Sequence, residues 1–266
     1  MRLAFMSSVC PKMTLAEMIS AAKKHGYQGI EFRPEWKHLH GAELASSAAE
    51  RKAIRQQMAD AGLEACCIAP SIAFNFETAA ERDKNLDRLF QYVDLAAETG
   101  VPRIRVFGDP LPNTGSGRRA ANYASQAEYL VRAAARAAAA GVRLVLETHG
   151  TFRGLDAGEV LYRAAYPPAL WINWHLFHCL NHGEDVDEAY RHVKGRVDHA
   201  HFCIGTGESE SYGAIARQAQ LLSAEGFKSF FSVEVINPPD SEAVLKSHAE
   251  QWRTILAGLK ASSKGG

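Results

Sequence analysis

Short apolar runs recur along the chain, and between them lie longer stretches with apolar residues three and four positions apart. The first pattern reads as buried strands and the second as amphipathic helices. The runs fall near 2–6, 28–33, 63–69, 103–107, 142–147, 170–174, 197–203 and 229–235. Helical spacing is clearest over Leu15 to Lys24, Ala48 to Ala61, Asn85 to Glu98, Tyr123 to Ala140 and Ser241 to Leu259. Five strands follow a helix through a glycine: Gly26, Gly62, Gly100, Gly141 and Gly226. Glycine there suits the left-handed residue that closes a helix. Two further boundaries are Tyr166-Pro-Pro168, where proline stops a helix, and Lys194-Gly195-Arg196.

Eight strand–helix units within about 250 residues predict an α/β fold, a single (β/α)₈ TIM barrel over residues 1–260. A doubly wound open sheet alternates in the same way, but its dinucleotide form requires GxGxxG after the first strand. That turn is Met6-Ser-Ser-Val-Cys-Pro11. No linker interrupts the repeat, and residues 261–266, rich in Ser and Gly, read as a frayed tail. The 266 residues are 47% hydrophobic, enough for a sizeable core. Formal net charge is zero, which argues against a nucleic-acid partner. There is no signal-like apolar segment at the start and no run long enough for a membrane span. The five cysteines form no CxxC pair, so a cytoplasmic protein with reduced thiols is expected.

The chemistry gathers at four strand ends. Leu144-Val-Leu-Glu147, Trp171-Ile-Asn-Trp-His175, Val197-Asp-His-Ala-His201 and Phe230-Phe-Ser-Val-Glu234 each finish in Glu or His. Strands of a barrel end at one mouth, where active sites are built. Glu147, His175, His201 and Glu234 are therefore expected to converge as metal ligands. Two carboxylates with two imidazoles suit Mn²⁺, Fe²⁺, Co²⁺ or Zn²⁺ better than Mg²⁺ or Ca²⁺. Each residue alone would more simply be a hydrogen-bonded strand-end polar group. It is their equivalent position in four consecutive units that points to a shared site. His199 reads as a core or supporting residue. His149 fits a ligand, a substrate contact or a solvated loop equally. Glu31 and Arg33 are placed for substrate rather than metal, and Arg105 and Asp109 for lining the mouth or pairing at its rim. Phe74, Phe76, Trp36, Trp174 and Phe177 are candidate apolar walls. The Gly-rich loops 108–119 and 205–213 are candidate lids.

These features together resemble the xylose-isomerase-like TIM barrels, a group of sugar and sugar-phosphate isomerases and epimerases. The resemblance rests on His25-Gly-Tyr-Gln-Gly-Ile-Glu31, Arg103-Ile-Arg-Val-Phe-Gly108, Glu147, the His-x-His of strand seven and Ser232-Val-Glu234. It covers nearly the whole chain. It implies metal ligands at Glu147, His201 and Glu234. On strand six the family pattern is Asp-x-x-His, with the Asp on metal and the His near substrate. Here the segment is His175-Leu-Phe-His178, so His178 keeps the substrate role while His175 replaces the Asp.

The resemblance implies a metal-dependent isomerase or epimerase of a small sugar or polyol-like keto compound. The reaction would run through an enediolate, with Glu147 and Glu234 as acid and base. His178, His149, Arg33 and Arg105 would contact substrate. A lyase or dehydratase on the same scaffold begins with the same proton abstraction. A sugar-binding barrel without catalysis is a third reading. A DNA-repair nuclease of this barrel type needs further histidines at the ends of strands three and four. Ile68-Ala-Pro-Ser71 and Val106-Phe-Gly108 supply none. A homo-oligomer is left open.

Overall fold

The computed structural model describes residues 1–112, 116–205 and 210–262. Eight parallel strands close into a barrel in sequence order: β1 Arg2–Met6, β2 Gly29–Phe32, β3 Glu64–Ile68, β4 Arg103–Phe107, β5 Arg143–Glu147, β6 Leu170–Asn173, β7 Val197–Phe202 and β8 Phe230–Val233. β8 returns to pair with β1, Arg2 opposite Phe230, so no strand edge is left open. The eight-unit reading therefore holds.

Nine helices are described around the barrel: α1 Leu15–His25, α2 Ala48–Ala61, α3 Ala79–Thr99, α4 Ser116–Ala139, α5 Gly154–Arg163, α6 Leu176–Asn181, α7 Val186–Val193, α8 Tyr212–Ala224 and α9 Ser241–Ser262. The β6–β7 connection carries two of them, α6 and α7, where the sequence marks only one boundary. α9 runs to Ser262, and residues 263–266 of the expected tail lie outside the described residues.

The helices form where the pattern and the caps agree. Thr14 and Ser47 each accept a hydrogen bond from the backbone N–H three residues on, and Glu17 and Glu50 reach back to the cap N–H. At the other ends, Gly26 and Gly100 take φ +82° and +76°, as the repeat predicts. On α3 the buried stripe is Leu86, Leu89, Val93 and Ala96. Each fully buried leucine of that stripe contributes about 1.5–3 kcal/mol of transfer free energy. An acid at Leu89 would remove that and bury an unpaired charge.

Inside the barrel the floor is apolar, with Ala4, Cys67, Val145 and Phe230 packed together. At the strand starts an ion-pair chain links Arg103 to Asp198 (2.7 Å) and Glu64 (3.2 Å), with Arg2 on Glu64. The opposite end of the barrel carries the buried acids and imidazoles described next. All five cysteines are buried. Among the described residues no helix is long and apolar enough to cross a membrane.

Candidate metal and substrate site

The four strand-end residues do converge. One donor atom from each of Glu147, His175, His201 and Glu234 lies within 4.8 Å of the other three. His201, fully buried at the end of β7, is the centre. Its Nδ1 is 2.7 Å from Glu147 Oε1 and 2.8 Å from Glu234 Oε2. His175 Nδ1 lies 3.3 Å from each of the same two oxygens.

Local structure explains these positions. His175 follows β6 and caps α6 with extended backbone. Its N–H donates to Thr148 Oγ1 (2.8 Å), and the Thr148 hydroxyl donates back to its carbonyl (3.0 Å). The end of β5 therefore pins the backbone that carries His175. His201 is oriented from below, because its Nε2 lies 3.0 Å from both oxygens of Glu31. Glu31 also meets His199 Nε2 at 2.9 Å. All three are fully buried.

This corrects the expectation for Glu31: it supports the candidate ligand His201 and is not among the residues lining the cavity. Alternation puts Glu31 on the same inward face of β2 as Arg33 but one step deeper, where His199 and His201 meet it. His199 takes the supporting role expected of it.

The donor set fits a divalent ion. Nε2–H of His201 points at Glu31, so in the neutral ring Nδ1 presents a lone pair to two carboxylate oxygens. Glu234 Oε2 is buried there, facing only the Nδ1 atoms of His201 and His175 among the described residues. Acceptors facing one another around a common point call for a cation. A proton can also serve. Burial opposes charge on His201, but Glu31, Glu234 and Glu147 raise its pKa well above the usual value. Burial likewise acts against ionised Glu147, yet His201 and Arg105 hold it well below the usual carboxylate range.

The two carboxylates are not equivalent. Glu147 is fully buried and uses both oxygens, Oε1 on the imidazoles and Oε2 in a 2.6 Å ion pair with Arg105. Glu234 keeps some exposure and lines the cavity above.

That cavity is about 840 Å³, and the candidate substrate residues Arg33, Arg105, His149 and His178 all line it. His149 is held by Asp109 at 2.9 Å; burial opposes its charge, but Asp109 raises its pKa. The His178 ring centre lies 4.5 Å from those of both His149 (tilted) and His175 (edge-on), and burial followed by their charges lowers its pKa to about 3. It is a neutral hydrogen-bonding group.

Of the five candidate wall aromatics, Trp36 and Phe177 line the cavity. Trp174 does not: next to inward-facing Asn173 it points outward, stacked on Tyr190. Phe74 is buried against Tyr129, and Phe76 is not part of the lining either. The segment Val235 to Asp240 closes one side instead, with Pro238-Pro239 as its only hint in the sequence.

Glu210 escaped the sequence reading. Its buried carboxylate accepts from Phe177 N (3.1 Å) and Cys203 N (2.9 Å), fastening α6 to the end of β7. It sits at the edge of loop 205–213, whose residues 206–209 lie outside the described set, as do 113–115 of loop 108–119.

The profile of the xylose isomerase-like TIM barrel family matches residues 19–260, and the chain belongs to that family. No curated protein matches it in sequence. Among solved structures it is similar to an L-ribulose 3-epimerase, at 19% identity over 99% of this chain and 97% of that one, TM-score 0.81. It is also similar to the probable 3-DHS dehydratase AsbF of Bacillus anthracis, at 17% identity over 94% and 98%, TM-score 0.73. A third is the IolI protein with a bound zinc atom, at 15% identity over 97% and 98%, TM-score 0.74. At such identities these likenesses establish the fold.

Proposed function

We propose that this protein is a metal-dependent isomerase or epimerase of a small keto sugar or polyol-like compound. The observation that carries it is the convergence of Glu147, His175, His201 and Glu234 on one point below a cavity that Glu234 lines. Those four residues would hold a divalent ion of the Mn²⁺, Fe²⁺, Co²⁺ or Zn²⁺ type. When bound, it supplies Lewis-acid polarisation of a carbonyl and its neighbouring hydroxyl.

The chain's own residues divide the remaining work. Glu234, without an Arg partner and reaching the cavity, takes the proton from the carbon next to the carbonyl. Glu147, held ionised by His201 and Arg105 and meeting the same His201 Nδ1 as Glu234, would be the second carboxylate for return of the proton. His178, neutral, hydrogen-bonds the hydroxyl beside the reacting carbon. Trp36 and Phe177 exclude water and present apolar faces to the carbon chain.

The family and the epimerases of the same fold support this class. The test is exchange of substrate C–H hydrogen with deuterated water in metal-loaded protein, using L-ribulose and D-tagatose. Exchange should be lost in Glu234→Gln, with metal still bound. Wild-type exchange in that variant, or no metal uptake by the native protein, overturns the proposal.

One observation favours a lyase as second reading. His149, raised in pKa beside Asp109, faces the cavity as an acid able to protonate a departing hydroxide. A dehydrated, ultraviolet-absorbing product would select it.

A further inference from the structure

The upper wall of the site holds two guanidinium groups side by side. Arg33 Nη1 and Arg105 Nη2 donate to the same acceptor, the Ala69 carbonyl oxygen, at 2.8 and 3.1 Å. Both residues are almost fully buried and both line the cavity. Like charges are expensive to bring together away from water unless something negative meets them.

Arg105 has Glu147 on one nitrogen, but its Nε is buried without a partner. Arg33 has less. Its Nη2 donates to Ser71 Oγ at 2.9 Å, and its guanidinium lies 4.3 Å over the Trp36 ring. Its nearest carboxylate, Glu35, is 3.9 Å away and already shared among Tyr92 (2.6 Å), Arg88 (2.9 Å) and the Ser71 N–H (3.1 Å). Of the two acids in the cavity lining, Asp240 caps α9 through the Ala243 N–H and Glu234 belongs to the four-donor cluster below. Burial and then Arg105 lower the Arg33 pKa to about 10, which measures the same crowding.

A cation set beside another in this cavity, whose nearest carboxylate is 3.9 Å away and shared with three other groups, is built for an anion. His175 strengthens the bias, because an imidazole in place of an acidic ligand removes one negative charge from the floor below.

We infer that the substrate is an acid: a hydroxy- or keto-compound whose anionic end rests on Arg33 and Arg105 while its carbonyl end reaches the carboxylate–imidazole cluster. The cluster's role rests on the function proposed above. The recognition of charge does not. Carboxylate and phosphate are both gripped by paired guanidinium groups, so the common feature is the anion at the end of a polyol chain.

The test is titration calorimetry at fixed ionic strength with three ligands of equal chain length: gluconate, glucitol and glucitol 6-phosphate. It uses dialysed, metal-free protein, so that failure of the metal reading leaves it intact. Wild-type protein should bind gluconate at least tenfold tighter than glucitol. Arg33→Lys, which keeps the charge, should retain part of that preference, and Arg33→Met should lose it. A preference seen with glucitol 6-phosphate alone, and dependent on Arg33, assigns the anion to a phosphoryl group. Equal binding of all three by the wild type overturns the inference, however the variants fold. So does a preference that survives in Arg33→Met, or one that appears only after Mn²⁺ is added and ignores Arg33.

Discussion

Glu31→Gln isolates the layer beneath the four candidate ligands. Glu31 accepts from His201 Nε2 with both oxygens at 3.0 Å and from His199 Nε2 at 2.9 Å, and all three side chains are inaccessible to water. Glutamine keeps the shape but turns one oxygen into an NH₂ donor. One of the two imidazole N–H groups then faces a donor, and the charge that stabilised both is gone. Breaking a buried pair in this way costs about 3–5 kcal/mol. Against a typical total of about 5–15 kcal/mol, that is a large fraction. At about 2–4 °C per kcal/mol for a chain of this size, the thermal midpoint should fall by on the order of 6–20 °C.

A second consequence is independent of stability. Loss of a supporting carboxylate typically weakens metal affinity by about 10–100-fold, because the ligand imidazole is no longer held in orientation or made more basic. Calorimetric unfolding of metal-free protein reads the first effect and titration with Mn²⁺ or Zn²⁺ reads the second. A thermal midpoint within about 2 °C of wild type, with affinity inside about twofold rather than the expected 10–100-fold, would refute the idea that Glu31 organises this site.

Further outcomes follow from other positions. His175→Asp restores an acidic ligand and should bind divalent metal more tightly than the native chain, read by elemental analysis after dialysis; weaker retention would place His175 outside the ligand set. Metal uptake at neutral pH should release about one proton, since His201 carries one in the metal-free form, and calorimetry in buffers of different ionisation enthalpy measures it. His40 accepts from Ala42 N (3.0 Å) through Nδ1 and donates to the Arg33 carbonyl (3.1 Å) through Nε2, so it is fixed in a neutral tautomer. Burial lowers its pKa to about 4. With an unfolded value of about 6.5, only the unfolded chain takes up the proton in between, so stability falls as pH drops from about 6.5 to about 4. His40→Gln should shrink that fall in urea midpoints, and an unchanged fall would exclude the residue. Gly108→Ala puts a Cβ 2.5 Å from the buried Phe152 ring and should cost about 1–3 kcal/mol in denaturant unfolding.

The parts legible in sequence were those set by local chemistry. Glycines at helix ends, prolines at Tyr166-Pro-Pro168 and the apolar runs gave the eight units, because each is a property of a few neighbouring residues. The four convergent donors followed from parallel strands ending together. Long-range register was not legible. Nothing in Gly29-Ile-Glu-Phe32 says that Glu31 meets His201 and His199 of β7. The outward turn of Trp174 was available from strand parity, but bulk and hydrophobicity suggested a wall instead. Glu210 was hidden for the opposite reason: an acid in a Gly- and Ser-rich loop looks solvated until the backbone N–H groups it accepts from are known.

The departure at His175 and the ion pair at Arg105 are one electrostatic fact seen from two strands. Replacing an acidic ligand by imidazole leaves Glu147 and Glu234 as the only anions among the four donors. Arg105 then neutralises Glu147 at 2.6 Å, which leaves Glu234, of these two, without an Arg partner and in reach of the cavity. A site with that balance leaves one carboxylate that reaches the cavity, Glu234, and one restrained carboxylate, Glu147. It follows that Arg105→Gln should act on the chemistry through Glu147. With the guanidinium gone, Glu147 should protonate at higher pH, and the acid limb of the pH–rate profile should move upward. Catalysis by Glu234 alone would leave that limb where it is, which makes the position of the limb the measurement that separates one proton carrier from two.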